Sequence, residues 1–94
     1  MNRQEAESIV AEQLKSYREK PYSELVKLMG QKPSTFEIRG PSGVLYQLEI
    51  QAFWDDQPNG NVRIMASIDD GGLRAFSPIN DDFIKSPAGK FVGE

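Results

Sequence analysis

The sequence predicts an α+β domain in which an N-terminal helical segment, one long helix and one short, packs on a three- to four-stranded antiparallel β-meander. Three observations predict it. Apolar residues recur every three or four positions as far as residue 29, which is helical spacing. From Ser34 onward the period drops to two, which is strand spacing. The strand-like runs are joined by short stretches rich in Gly, Asp, Asn and Pro, too short for the crossovers that parallel strands require.

The helical segment is expected over residues 2–29. Asn2 is placed to cap it, and Glu5 stands where a capping box takes an acid. Ala6, Ile9, Val10, Leu14 and Tyr17 fall on one face, with Glu7, Glu12, Gln13, Lys15 and Arg18 around the rest. Acids early and bases late suit the helix dipole, so the basic run Lys15, Arg18, Lys20 reads as a helix end rather than a phosphate site. Pro21 interrupts the helix. A proline is tolerated in a first turn, which favours a split over a kink. A short second helix through Leu25, Val26, Leu28 and Met29 is expected to stop at Gly30, and Pro33 prevents its continuation.

Strands are expected at about 34–39, 44–54, 62–69 and 73–77. Phe36 and Ile38 alternate with Glu37 and Arg39 in the first. Gly40-Pro41-Ser42-Gly43 is a turn; it lacks the length, the lysine and the following helix of a phosphate loop. Val44, Tyr46, Leu48, Ile50, Ala52 and Trp54 give the second strand its inner face, and Phe53 breaks the alternation. Residues 55–61 (DDQPNGN) form a loop. Val62, Ile64, Ala66 and Ile68 face inward on the third strand, opposite Arg63, Met65 and Ser67. Asp69 to Gly72 turn the chain into the fourth. Residues 78–94 read as irregular: Asn80 or Asp81 caps a single turn carrying Phe83 and Ile84, and Ser86 to Gly89 make another turn. The whole of residues 1–94 reads as one domain, since a chain of 94 residues supports one core.

Composition excludes several classes of function. The net charge is −3, and the 11 Lys and Arg residues are scattered, which argues against nucleic acid as partner. No stretch approaches the length of a membrane span, so no membrane is expected as partner. The polar, acidic start is unlike a signal peptide, and the lack of cysteine fits a cytoplasmic setting. Without cysteine there is no thiolate chemistry; without histidine the commonest general base and metal ligand are missing. No cofactor is implied.

The stretches Phe53-Trp54-Asp55-Asp56, Ser67-Ile68-Asp69-Asp70-Gly71-Gly72, Arg74-Ala75-Phe76 and Asp81-Asp82-Phe83-Ile84 together resemble a group of short, uncharacterised bacterial proteins. The similarity covers roughly the C-terminal half. It implies a bacterial, free-standing domain and carries no activity or ligand with it.

Three acidic pairs fall in expected turns: Asp55-Asp56, Asp69-Asp70 and Asp81-Asp82. Asp is favoured in turns and caps because its side chain bonds nearby backbone amides, and this is the reading preferred. Loop carboxylates also bind hard cations, and neighbouring carboxylates share protons in acid–base work. Both uses stay open for Asp55, Asp56, Asp69, Asp70, Asp81 and Asp82. Asp69 and Asp70 are also placed for an ion pair with Arg74, or for an anion site with the Gly71 and Gly72 amides. Phe53, Met65 and Phe76 are candidates for an apolar interaction surface on the second face of the sheet, unless the segment from Phe83 to Val92 folds over that face. No residue is assigned a catalytic role. The chain reads as a non-catalytic interaction or regulatory domain with a protein partner or a second copy of itself. The alternative is a small metal-binding or carboxylate-based enzyme domain.

Overall fold

Asn2 starts the first helix as its sequence position suggests: its side-chain oxygen accepts from the Glu5 N–H at 3.0 Å. In the computed structural model, which describes residues 2–71 and 79–94, this helix is α1 (Arg3–Arg18). Its buried residues are Ala6, Val10 and Leu14, the stripe that the three-and-four spacing marks. Pro21 is extended (φ −67°, ψ 157°) and separates α1 from the short α2 (Tyr22–Val26), so the chain splits here rather than kinks. The left-handed turn that ends this region falls on Gly30, at φ +75°.

Among the described residues four antiparallel strands follow: β1 (Ser34–Arg39), β2 (Leu45–Trp54), β3 (Val62–Asp69) and β4 (Ile79–Lys85). Their spatial order is β1-β2-β3-β4, a meander. The even-numbered residues of β2 and β3 form the inner face, and Tyr46, Leu48, Ile50, Val62, Ile64, Ala66 and Ile68 are all buried. Each large apolar side chain removed from water contributes about 1.5–3 kcal/mol, so this layer is the main source of stability. The helices lie over β3 and β4, and Val10 and Leu25 are fully buried in the core between them. They leave the inner side of β1 thinly covered, and Phe36 and Ile38 are only half-buried.

The C-terminal part departs from the expected irregular segment. Residues 79–85 are a strand, not a capped turn, and the expected strand at 73–77 lies outside the described residues. Antiparallel pairing sets Phe83 against Ile64 and Lys85 against Val62, both on the inner face. A buried lysine obscures the alternation in the sequence. Its charge is satisfied because Nζ donates to the carbonyls of Arg18 (2.8 Å) and Lys20 (2.7 Å), which closes the end of α1. The last residues fold back through the Ser86–Gly89 turn. Phe91 then stacks edge-on against Phe83 at 5.8 Å and lies under the Arg18 guanidinium at 4.1 Å. Arg18 also pairs with Glu94, and this bond raises the guanidinium pKa while holding the Glu94 carboxyl below its usual range.

The other end of α1 is tied to the β1–β2 turn. Glu5 does not use its carboxylate to complete a capping box. It accepts from the Ser42 N–H (2.9 Å), the Ser42 hydroxyl (2.7 Å) and the Tyr46 hydroxyl (2.8 Å). Gly40 permits this approach: a Cβ there would come within 2.7 Å of Glu5 Cδ and 2.9 Å of the buried Tyr46 ring.

Candidate interaction surface

The two free edges of the sheet are chemically different, and the phase of the backbone hydrogen bonds shows how. In an antiparallel strand, successive residues direct their N–H and C=O groups to opposite neighbours. The Gly40 N–H bonds the Val44 carbonyl at 2.8 Å, which turns the even-numbered residues of β2 toward β1. The Asp55 N–H bonds the Asn61 carbonyl at 2.8 Å, which turns the odd-numbered ones toward β3. Carried through the register, Ser34, Phe36 and Ile38 of β1 face β2, so Thr35, Glu37 and Arg39 point their backbone groups out of the sheet. On β4 the outward residues are Asn80, Asp82 and Ile84.

The β4 edge is occupied by the chain itself at its C-terminal end. The Ile84 carbonyl accepts from the Val92 N–H at 2.9 Å, and Phe91 bridges to Lys85. The Asp82 N–H donates to the Asp81 carboxylate at 2.8 Å. On β1, by contrast, no hydrogen bond among the described residues occupies the outward backbone groups of Thr35, Glu37 or Arg39. All three residues are exposed. The Arg39 side chain donates one N–H to the Gly43 carbonyl at 2.8 Å.

The outer face of the sheet is mixed. Phe53 pairs with Arg63, and Ile84 flanks Arg63 on the other side. Met65 lies one row along, between Gln51 and Asp82. Phe53 is exposed and Met65 half-buried, both on this face, while Trp54 turns inward; Phe76 lies outside the described residues. The segment from Phe83 to Val92 does not fold over the face as a cover. It extends the sheet sideways, because Phe83 is an inner-face residue of β4. Glu37, Gln47, Glu49, Ser67 and Asp69 continue the same face and make it polar and acidic. A shallow depression of about 280 Å³ there is lined by Thr35, Glu49, Ser67 and Asp69, among others.

The acidic residues serve mostly local ends. Arg63 gathers two of them from different pairs: its Nε and a terminal nitrogen donate to Asp55 at 3.1 and 2.7 Å, and its other terminal nitrogen bonds Asp82. The Asp55 bond is the main reason the Arg63 pKa is raised. Asp56 accepts from the Gln57 N–H at 2.8 Å and Asp69 from the Gly71 N–H at 2.7 Å, both turn contacts. Asp81 accepts from Asp82 as above. Asp70 follows β3, and its charge adds to the rise of the Tyr46 pKa, which burial and the Glu5 bond dominate. Among the described residues no group of three or more carboxylates is placed to hold a metal ion. Arg74 and Gly72, the other members of the expected ion pair and anion site, lie outside the described residues. Among those described, no helix is long and apolar enough to cross a membrane.

The features missed from the sequence are the Arg63 bridge, the buried Lys85 and the inequality of the edges. Arg63 stands at an outward position, and only the pairing of β3 with β4 brings Asp82 beside it. No family model, no curated protein and no solved structure matches this chain.

Proposed function

We propose that the chain is a non-catalytic protein-interaction domain that pairs with a second copy of itself through β1. One observation carries this reading: on β4 the Ile84 carbonyl and the Asp82 N–H are engaged by Val92 and Asp81, while no outward backbone group of Thr35, Glu37 or Arg39 is engaged among the described residues. An open edge is a template for another strand. The lack of histidine and cysteine in the sequence supports a non-catalytic role.

The side chains of β1 select a register. A two-fold axis at Ile38 sets Glu37 opposite the partner's Arg39 on the outer face, twice over by symmetry. It sets Ile38 against the partner's Ile38 on the inner face, where the helices leave β1 half-covered. The backbone phase agrees, since Glu37 and Arg39 are both outward residues and meet as a hydrogen-bonded pair. An axis at Glu37 would oppose two glutamates. The product is a continuous eight-stranded sheet with the helices on one face.

Charge exchange tests it. E37R converts two attractive pairs into two repulsive ones and is expected to weaken self-association about tenfold or more. E37R/R39E restores opposite charges across the axis and is expected to recover the wild-type constant. Sedimentation equilibrium reads both. A wild-type chain that stays monomeric at millimolar concentration, or a double variant as weak as E37R, overturns the proposal.

A further inference from the structure

We propose a second binding site at the other end of β2, built to take the free C-terminus of an extended polypeptide. It goes beyond the β1 pairing and uses different backbone groups. β2 has ten residues, but β1 pairs only with Leu45–Ile50, so residues 51–54 have a strand neighbour on the β3 side alone. By the alternation established above, the N–H and C=O groups of Ala52 and Trp54 point toward the missing neighbour. No hydrogen bond among the described residues occupies them on that side. Ala52 borders a cleft of about 230 Å³ that lies between residues 50–53 of β2 and the chain at residues 31–34.

The cleft dictates what fits. A strand pairing antiparallel with β2 at residues 54–51 travels in the direction of β1 and meets Ser34, where β1 begins. It cannot continue past that point in the sheet, and an incoming chain that ends there leaves its terminus in the cleft. Antiparallel pairing makes that end a C-terminus, and Lys32, which lines the cleft two residues before β1, offers the terminal carboxylate a positive charge. No carboxylate among the described residues pairs with Lys32. A parallel strand would bring an N-terminal ammonium to the same lysine and be repelled. The residue opposite Ala52 shares the inner face with it and meets Tyr17, Leu28 and Ile50, so the last side chain should be apolar. The occupant is thus an extended C-terminal segment ending in an aliphatic residue, held by main-chain bonds to Ala52 and Trp54.

The probe is a fluorescein-labelled pentapeptide of four threonines followed by leucine, with a free C-terminus. Fluorescence anisotropy on the intact protein is expected to show saturable binding. The C-terminally amidated peptide should bind at least tenfold more weakly, as should the free peptide to K32E, while K32R retains binding. Amide exchange should slow at Ala52 and Trp54 and not at Thr35, Glu37 or Arg39. E37R should leave peptide binding unchanged, so the fate of this site is separable from that of the β1 pairing. Absence of binding, equal binding of the amidated peptide, or protection at β1 instead of β2 overturns the proposal.

Discussion

Glu5 shows how one side chain links two parts of a small fold. Its carboxylate joins the first turn of α1 to the β1–β2 turn through Ser42 and to the core through Tyr46. The Ser42 hydroxyl is the main cause holding the Glu5 carboxyl below the ordinary range, with the Tyr46 hydroxyl and the Ser42 amide acting in the same direction. A carboxyl depressed in the folded state contributes stability that is present above its unfolded pKa and is lost as pH falls through the folded value. Glu94, depressed by Arg18, acts with the same sign. Stability is therefore expected to fall as pH drops below about 4.3, the usual glutamate value, and the E5Q variant is expected to show a shallower fall over that window. Urea melts of both proteins across pH 3–6, a range set by about one to two units either side of that value, measure the difference; parallel pH profiles would remove Glu5 from this role. Sequence placed Glu5 in a helix cap and reached only half of its function. The other half depends on Ser42, far along the chain, and on the bare Cα of Gly40.

At the scale of elements, β4 is where the pattern in the sequence and the fold part. Helices and the first three strands follow their periodicities because their inner faces are uniformly apolar. β4 places Asp81 and Lys85 at inner-face positions with Ile79 and Phe83, and Ile84 at an outer one, so its alternation is broken at three of seven residues. Two adjacent aspartates then imitate a helix start. The strand holds because Lys85 finds two helix carbonyls and Phe83 fills the core. K85M keeps the aliphatic stem but leaves the Arg18 and Lys20 carbonyls without their donor in a buried place. It is expected to destabilise the fold by about 2–3 kcal/mol, since a bond to a charged group is worth about 1.5–3 kcal/mol and an orphaned acceptor costs as much. A shift in the urea midpoint reads it. A K85M protein as stable as wild type would mean that the lysine is tolerated rather than used.

For the molecule as a whole, the consequence is a sheet with one guarded edge and one open edge. Which face is inner was legible from the even-numbered residues from Tyr46 to Ile68. Which edge is open was not, because it depends on hydrogen-bond phase, on the return of Val92 to Ile84 and on the bond from Asp82 to Asp81. The acidic pairs illustrate the same divide. Their turn chemistry was legible at Asp56 and Asp69, whereas the meeting of Asp55 and Asp82 on Arg63 required the strand register. Amide hydrogen exchange as a function of protein concentration reads pairing at the β1 edge residue by residue. Exchange at Glu37 and Arg39 should slow progressively as concentration rises, while Phe36 and Ile38, already bonded to β2, change far less. Exchange at these two amides that is independent of concentration up to the millimolar range would mean that β1 is not a pairing edge.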